Sequence, residues 1–210
     1  MIGFAEATAH LRDADPVIGR LIDVYGEIDG IVGADRRGLD HYSALVRSIV
    51  GQQLSTKAAR AIYGRLLGIF DDRPPTPEQV LAADPERLRM DAGLSRAKVG
   101  FLRSLAEHVL SGQLELDRVA ELPEDEVIGE LVAVKGIGEW SAHMFLMFQL
   151  ERPDVLAVGD LGIRRAVQRA YGLDDLPGAA ELEALAEPWR PWRTVACRYL
   201  WRSLDNEPVV

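Results

Sequence analysis

Apolar residues recur at three- and four-residue intervals along almost the whole chain, and alternation sustained over strand length is hard to find. The pattern predicts an all-α fold of roughly ten helices joined by connections of ordinary length. In "DPVIGRLIDVYG", Asp15 is an N-cap, Pro16 takes the first helical position and Gly26 is the stop. "HYSALVRSIVGQQLSTKAARAIYGRLLGIF" reads as two helices, 41–50 and 55–70, broken at Gly51-Gln52-Gln53-Leu54. "TPEQVLAAD" opens with a capping box, Thr76 with Gln79, and Pro77 begins a short helix. A long amphipathic helix runs from Ser95 to about Ser111, and the proline and acids of "PEDEVIGELVAV" suit a helix N-terminus. Further helices are predicted at 139–150, 161–171, 180–187 and 192–204. Loop-like composition is confined to "DDRPPTP" near 71–77 and "ERPDVLAVGD" at 151–160.

Between the predicted helices ending near Val134 and starting at Glu139 lies "VKGIGEW". A hairpin so tight leaves backbone N–H groups at the start of its second helix, which is a place for an anion. Glycines at both ends, Gly136 and Gly138, suit a backbone that takes positive φ and lies close to another backbone, with Ile137 between them plugged into the core. A plain tight turn fits the same letters.

Composition narrows the functional classes. A chain of 210 residues, 48% hydrophobic, accommodates one large domain or two small lobes sharing a core. The net charge of −9 counts against a protein coated in basic surface, so a nucleic-acid partner must be met by a local patch. Such a patch is suggested near the end of the chain, where Arg164, Arg165, Arg169, Arg190, Arg193, Arg198 and Arg202 interleave with Trp189, Trp192 and Trp201. The alternative is arginine on solvated helix faces and tryptophan in the core. A single cysteine, Cys197, excludes an internal disulfide, a cysteine zinc site and a four-cysteine cluster, and His10, His41, His108 and His143 lack ligand spacing. With no signal segment and no apolar run of membrane length, the expectation is a soluble cytoplasmic protein, nucleoid-associated in a bacterium.

The order of motifs carries more. "ALVRSIVGQQLSTKAARAIYGRL", "AGLSRAKVGFLRSLA", "VKGIGEWSAHMF", "VGDLGIRRA" and "PWRPWRTVACRYLW" together resemble the helix-hairpin-helix DNA glycosylase superfamily, and within it the 3-methyladenine DNA glycosylase II branch. The chain looks like the short, purely helical form, without the N-terminal β-domain of larger members. The resemblance implies two helical lobes with an active-site cleft between them: 41–158 as the middle lobe with the hairpin, and 1–40 plus 159–210 as the other.

It also implies roles. Asp160 falls at the position of the superfamily's essential carboxylate; on its own it reads more readily as an N-cap. Trp140 stands where strand-cleaving relatives place a nucleophilic lysine, and Lys135, on the far side of the glycines, cannot replace it. Trp140 and Trp192 match aromatic positions of the base pocket, with Met144 where some relatives have a ring; core packing is the alternative for the tryptophans. Gln53 sits at the wedge position, Lys135, Gly136, Ile137, Gly138 and Arg164 on the DNA-contact side, and the main-chain oxygens of Val132, Val134 and Ile137 at a site for Na+ or K+. No cofactor is required, and the implied partner of this monomer is double-stranded DNA containing alkylated bases. The expected reaction is hydrolytic release of alkylated purines by base flipping and carboxylate-assisted attack of water. A non-catalytic lesion-binding module is the alternative.

Overall fold

The computed structural model describes residues 3–28 and 38–204, and among them every regular element is a helix. The chain divides into two compact units.

The first unit joins the N-terminal helices to the C-terminal third. It comprises α1 (Phe4–Ala14), α2 (Pro16–Tyr25), α10 (Leu161–Tyr171), α11 (Ala179–Leu185), a 3-10 turn (Glu187–Trp189) and α12 (Arg193–Ser203). α12 is its axis: Thr194 to Trp201 are all buried, and α2, α10 and α1 pack around it. Asp15 ties the unit together. Its Oδ1 caps α2 through Val17 N (2.8 Å) and Ile18 N (3.2 Å), while Oδ2 accepts from Trp189 Nε1 (2.8 Å) and from the Tyr171 hydroxyl. Burial, with the Asp15 hydrogen bond and charge, pushes the Tyr171 hydroxyl well above its ordinary pKa, so it remains a donor.

The second unit contains α3 (His41–Gly51), α4 (Thr56–Ile69), α5 (Pro77–Ala82), α6 (Pro85–Met90), α7 (Arg96–Leu110), α8 (Glu124–Val132) and most of α9 (Glu139–Phe148). α7 lies against α3, α5 and α6 and buries Val99, Leu102, Leu105 and Ala106. The Thr76–Gln79 capping box is present in full, with Thr76 N to Gln79 Oε1 at 2.9 Å and Gln79 N to Thr76 Oγ1 at 3.3 Å.

Two helices escape the periodic reading. α1 buries only Ala7 and Leu11, too thin a stripe to stand out, and α6 is a six-residue helix with one buried residue, Leu88. The division between the units falls within α9, between Phe145 and Leu146, not at the loop near 158. The reason is visible in the aromatic contacts. Phe145 meets the edge of His41 in the second unit at 5.7 Å, whereas Phe148 stacks on Trp201 in the first at 6.1 Å.

Candidate active site

The segment that leads into α10 is held to α12 at three points. Arg193 chelates Asp154 (Nε to Oδ1 2.7 Å, Nη2 to Oδ2 3.1 Å) and also donates to its carbonyl (2.6 Å). Thr194 Oγ1 donates to Arg152 O (2.7 Å) and accepts from Val155 N (3.0 Å). Two helical turns further along, Trp201 Nε1 donates to Asp160 Oδ1 (3.0 Å). Asp160 also caps α10, the same oxygen accepting from Ile163 N at 2.7 Å. Its carboxylate, 8% exposed, thus sits at the positive end of a helix dipole with two donors converging on one oxygen. The capping role is real and does not compete with a chemical one, because a cap needs the oxygen and catalysis needs the charge. Cys197, wholly buried, is no rival nucleophile: burial above all, with the negative charges of Asp160 and Asp154, pushes its thiol up to about 12.

The hairpin belongs to the second unit and is built differently. α8 ends at Val132, Gly136 takes φ +91°, and the Gly138 carbonyl accepts from Ala142 N (3.0 Å) to start α9. Only Gly136 needs positive φ, and the close neighbour it admits is the Phe101 ring, not another backbone; a Cβ there would fall inside that ring's envelope. A Cβ at Gly138 would meet open space. Ile137 is buried, and Lys135 is exposed with its amide bonded to Ser104 Oγ (3.2 Å). Gln53, exposed at the tip of the α3–α4 loop, has φ +58°, a conformation few non-glycine residues adopt. Its neighbours hold it there. Lys98 Nζ donates to Val50 O and Gln52 O, both at 2.8 Å, and Gln52 Nε2 donates to Gly136 O at 2.9 Å. Loop and hairpin are therefore one hydrogen-bonded piece. Burial lowers the pKa of Lys98 from its ordinary value.

The remaining site residues divide. Trp140, on the first turn of α9, and Trp192, at the head of α12, are both half-buried. Met144 is wholly buried. Arg164 is half-buried and donates to Pro177 O (2.8 Å). The arginine–tryptophan cluster splits too: Arg190 and Arg193 are paired with Asp154, Arg198 is 6% exposed, and Trp189 and Trp201 are core. Arg165, Arg169 and Arg202 remain exposed. Periodicity and composition single out none of Lys98, Gln52 and Gly162, and Trp201 only as part of the arginine–tryptophan cluster. Val132, Val134 and Ile137 lie where α8 ends, the negative pole of its dipole, and Val134 O accepts from Ile137 N (3.0 Å) while keeping a second lone pair.

The structure thus combines a helix, a glycine hairpin, a second helix and, some twenty residues on, a capped carboxylate. Residues 46–191 match the family model of the HhH-GPD superfamily base excision DNA repair proteins, and the chain belongs to that family. Within it, the chain is 34% identical over 200 residues to DNA-3-methyladenine glycosylase 1 of Schizosaccharomyces pombe, covering 94% of this chain and 86% of that one. It is also similar in structure to the S. pombe 3-methyladenine DNA glycosylase in complex with abasic DNA, with a TM-score of 0.83, 33% identity, and 95% and 97% of the two chains covered. A DNA-3-methyladenine glycosidase from Bacillus halodurans superposes with a TM-score of 0.80 at 39% identity, over 92% of this chain and 86% of that one. The family and the all-α fold expected from the motif order are borne out.

Proposed function

We propose that this chain is a monofunctional DNA glycosylase that hydrolyses the N-glycosidic bond of alkylated purines, of the 3-methyladenine and 7-methylguanine type, in double-stranded DNA. The observation that carries the reading is Asp160: a buried carboxylate at the head of α10, its Oδ1 held by Ile163 N–H and Trp201 Nε1–H. Alkylation at N3 or N7 makes the purine cationic and a good leaving group, so no strong general acid is required. What remains is an oxocarbenium-like sugar, which one fixed carboxylate stabilises while it orients or deprotonates water. Trp140 occupies the position at which a strand-cleaving relative would need lysine, which supports water as the nucleophile. Half-buried Trp140 and Trp192 offer indole faces, and a cationic base gains about 0.5–2 kcal/mol over a neutral one on such a face.

On the DNA-contact side, Gln53 is the wedge and Gly138 the point of close backbone approach; the open space around Gly138 supports this, since nothing in the protein requires glycine there. Lys135 and Arg164 accompany them, Arg164 with part of its donor set already on Pro177 O. The main-chain oxygens of Val132, Val134 and Ile137 would hold Na+ or K+, which would offset the charge of an approaching phosphate. The protein acts as a monomer, and its place is the cytoplasm or nucleoid, where DNA is found; no helix among the described residues is long and apolar enough to cross a membrane.

The test is a panel of duplexes, each with one 3-methyladenine, 7-methylguanine, ethenoadenine or hypoxanthine, assayed for free base and for strand nicks. Free cationic purine with an intact abasic strand is expected. Tight lesion binding without release would favour a non-catalytic sensor, and nicking would exclude the monofunctional mechanism.

A further inference from the structure

We propose that Trp201 and Gly162 are positioning residues for the Asp160 carboxylate; the inference rests on the reading of Asp160 as the reacting group. Trp201 is 2% exposed and stacked on Phe148 at 6.1 Å with 28° between the rings, so its indole has no freedom to follow a moving partner. Its Nε1–H meets Asp160 Oδ1 at 3.0 Å, across 41 residues of sequence. The cap bond from Ile163 N approaches the same oxygen from α10 itself. A cap alone leaves the carboxylate tied to its own helix; a second donor from a different helix fixes it relative to the rest of the unit. Arg193 and Thr194 hold the preceding segment, residues 152–155, against that same helix, so segment and carboxylate share one frame.

Gly162 makes room for the arrangement. A Cβ on it would stand 2.9 Å from Asp160 Oδ1, 3.3 Å from Trp201 Cδ1 and 3.4 Å from Trp201 Nε1. The backbone there is ordinary helix, so left-handed conformation is not why glycine is needed. Space beside the Asp160–Trp201 hydrogen bond is. The fold thus gives up helix propensity on the first turn of α10 in exchange for a carboxylate that meets the indole without a side chain between them. Preorganisation of this kind acts on the rate, because a charged group already in place does not reorganise as charge develops, and a displacement of about 1 Å costs on the order of 10²-fold.

Trp201→Phe keeps a ring to stack on Phe148 and removes the N–H, at the cost of a small cavity that lowers thermal stability whatever the role of the indole. Its single-turnover release of 3-methyladenine is expected to fall about 10- to 100-fold while duplex affinity stays within about twofold. A purely structural tryptophan would instead lose rate and affinity together. Gly162→Ala keeps the indole and moves the oxygen. It should slow release by about 10²-fold while duplex affinity stays within about twofold. A third measurement needs neither variant: in the parent, the Trp201 indole proton should be the one of four to shift clearly on Asp160→Asn, as a charge-assisted hydrogen bond becomes a neutral one. Parental rates in folded Trp201→Phe and Gly162→Ala, or an indole proton indifferent to Asp160→Asn, would overturn the inference. If Asp160→Asn itself releases base at the parental rate, the function proposed for Asp160 fails instead, and the two failures stay separate.

Discussion

Asp160 and Gln53 both stand beside a helix end, yet the protein holds them in opposite ways. Asp160 is gripped by its side chain: two donors from two elements share one carboxylate oxygen, and the group is almost wholly buried. Gln53 is gripped only through the main chain beside it, by Lys98 on the carbonyls of residues 50 and 52 and by Gln52 on the hairpin, while its side chain stays exposed. The difference suits the two roles proposed for them. A carboxylate that must face a developing cation is useful only if it is already in place. A wedge that enters a stack after a base has left needs a fixed base and a free end.

The largest effect expected of any single change is on the carboxylate. Asp160→Asn retains an oxygen for both donors and caps a helix about as well, so folding should be preserved to within roughly 1 kcal/mol. The rate, if it depends on the negative charge, should fall on the order of 10²–10⁴-fold. Duplex affinity should hold or tighten, because a negative charge beside phosphate is gone. Single-turnover release and urea denaturation on one preparation check both halves. Base release within about threefold of the parent, well short of that loss, would reduce Asp160 to a cap and erase the contrast with Gln53.

Next comes the piece on which the Gln53 loop leans. Gly136→Ala would force a side chain into positive φ and into the Phe101 ring, two penalties that sum to about 2–5 kcal/mol. Gly138→Ala has neither and should leave stability within about 0.5 kcal/mol, while still weakening binding to DNA if phosphate approaches there. Equal stabilities for the two variants would mean that the hairpin relaxes around Phe101 at little cost.

These two glycines also show what the sequence could reveal. Gly-x-Gly between helices announced a tight turn, but the letters are symmetrical and their reasons are not; only packing separates a glycine crowded by Phe101 from one facing open space. Caps were legible for the same reason that Asp15, Thr76 and Asp160 could be found: their bonds reach only two or three residues along the chain. The links that hold the candidate site span 41 residues from Trp201 to Asp160 and 46 from Lys98 to Gln52, and no local pattern encodes them. The C-terminal arginines are left open for a related reason. Composition offers Arg190 and Arg193 either as phosphate contacts or as solvated charges, whereas both are paired with Asp154, 36 and 39 residues earlier.

A smaller change tests the grip on the loop. Lys98→Met keeps the aliphatic stem and removes the ammonium that joins residues 50 and 52. Left to itself, Gln53 would sample more than its φ +58° conformation, and re-ordering one residue costs on the order of 1–2 kcal/mol, about tenfold in rate. That loss should appear with paired DNA and be absent with single strands, where no stack has to be filled. Gln53→Ala should show the same selectivity. Equal losses on both substrates would remove the wedge from the comparison.

The smallest effect concerns pH, and it falls on the hairpin unit alone. His143 lies on α9, where burial lowers its pKa below the ordinary value, the charge of Glu139 only partly opposing. Between that lowered value and about 6.5, the unfolded chain binds a proton that the folded one resists. Stability therefore drops as pH falls through this window; above about 6.5 neither state carries the proton and the residue adds no pH dependence. His143→Gln removes this term. Parent and variant should differ by a constant amount above about pH 7 and shift relative to each other, in the variant's favour, as pH falls toward about 5.5. Urea midpoints across that range measure it. A constant difference throughout would show that α9 opens to water around His143, and that the helix behind the hairpin is looser than the two-sided clamp on Asp160.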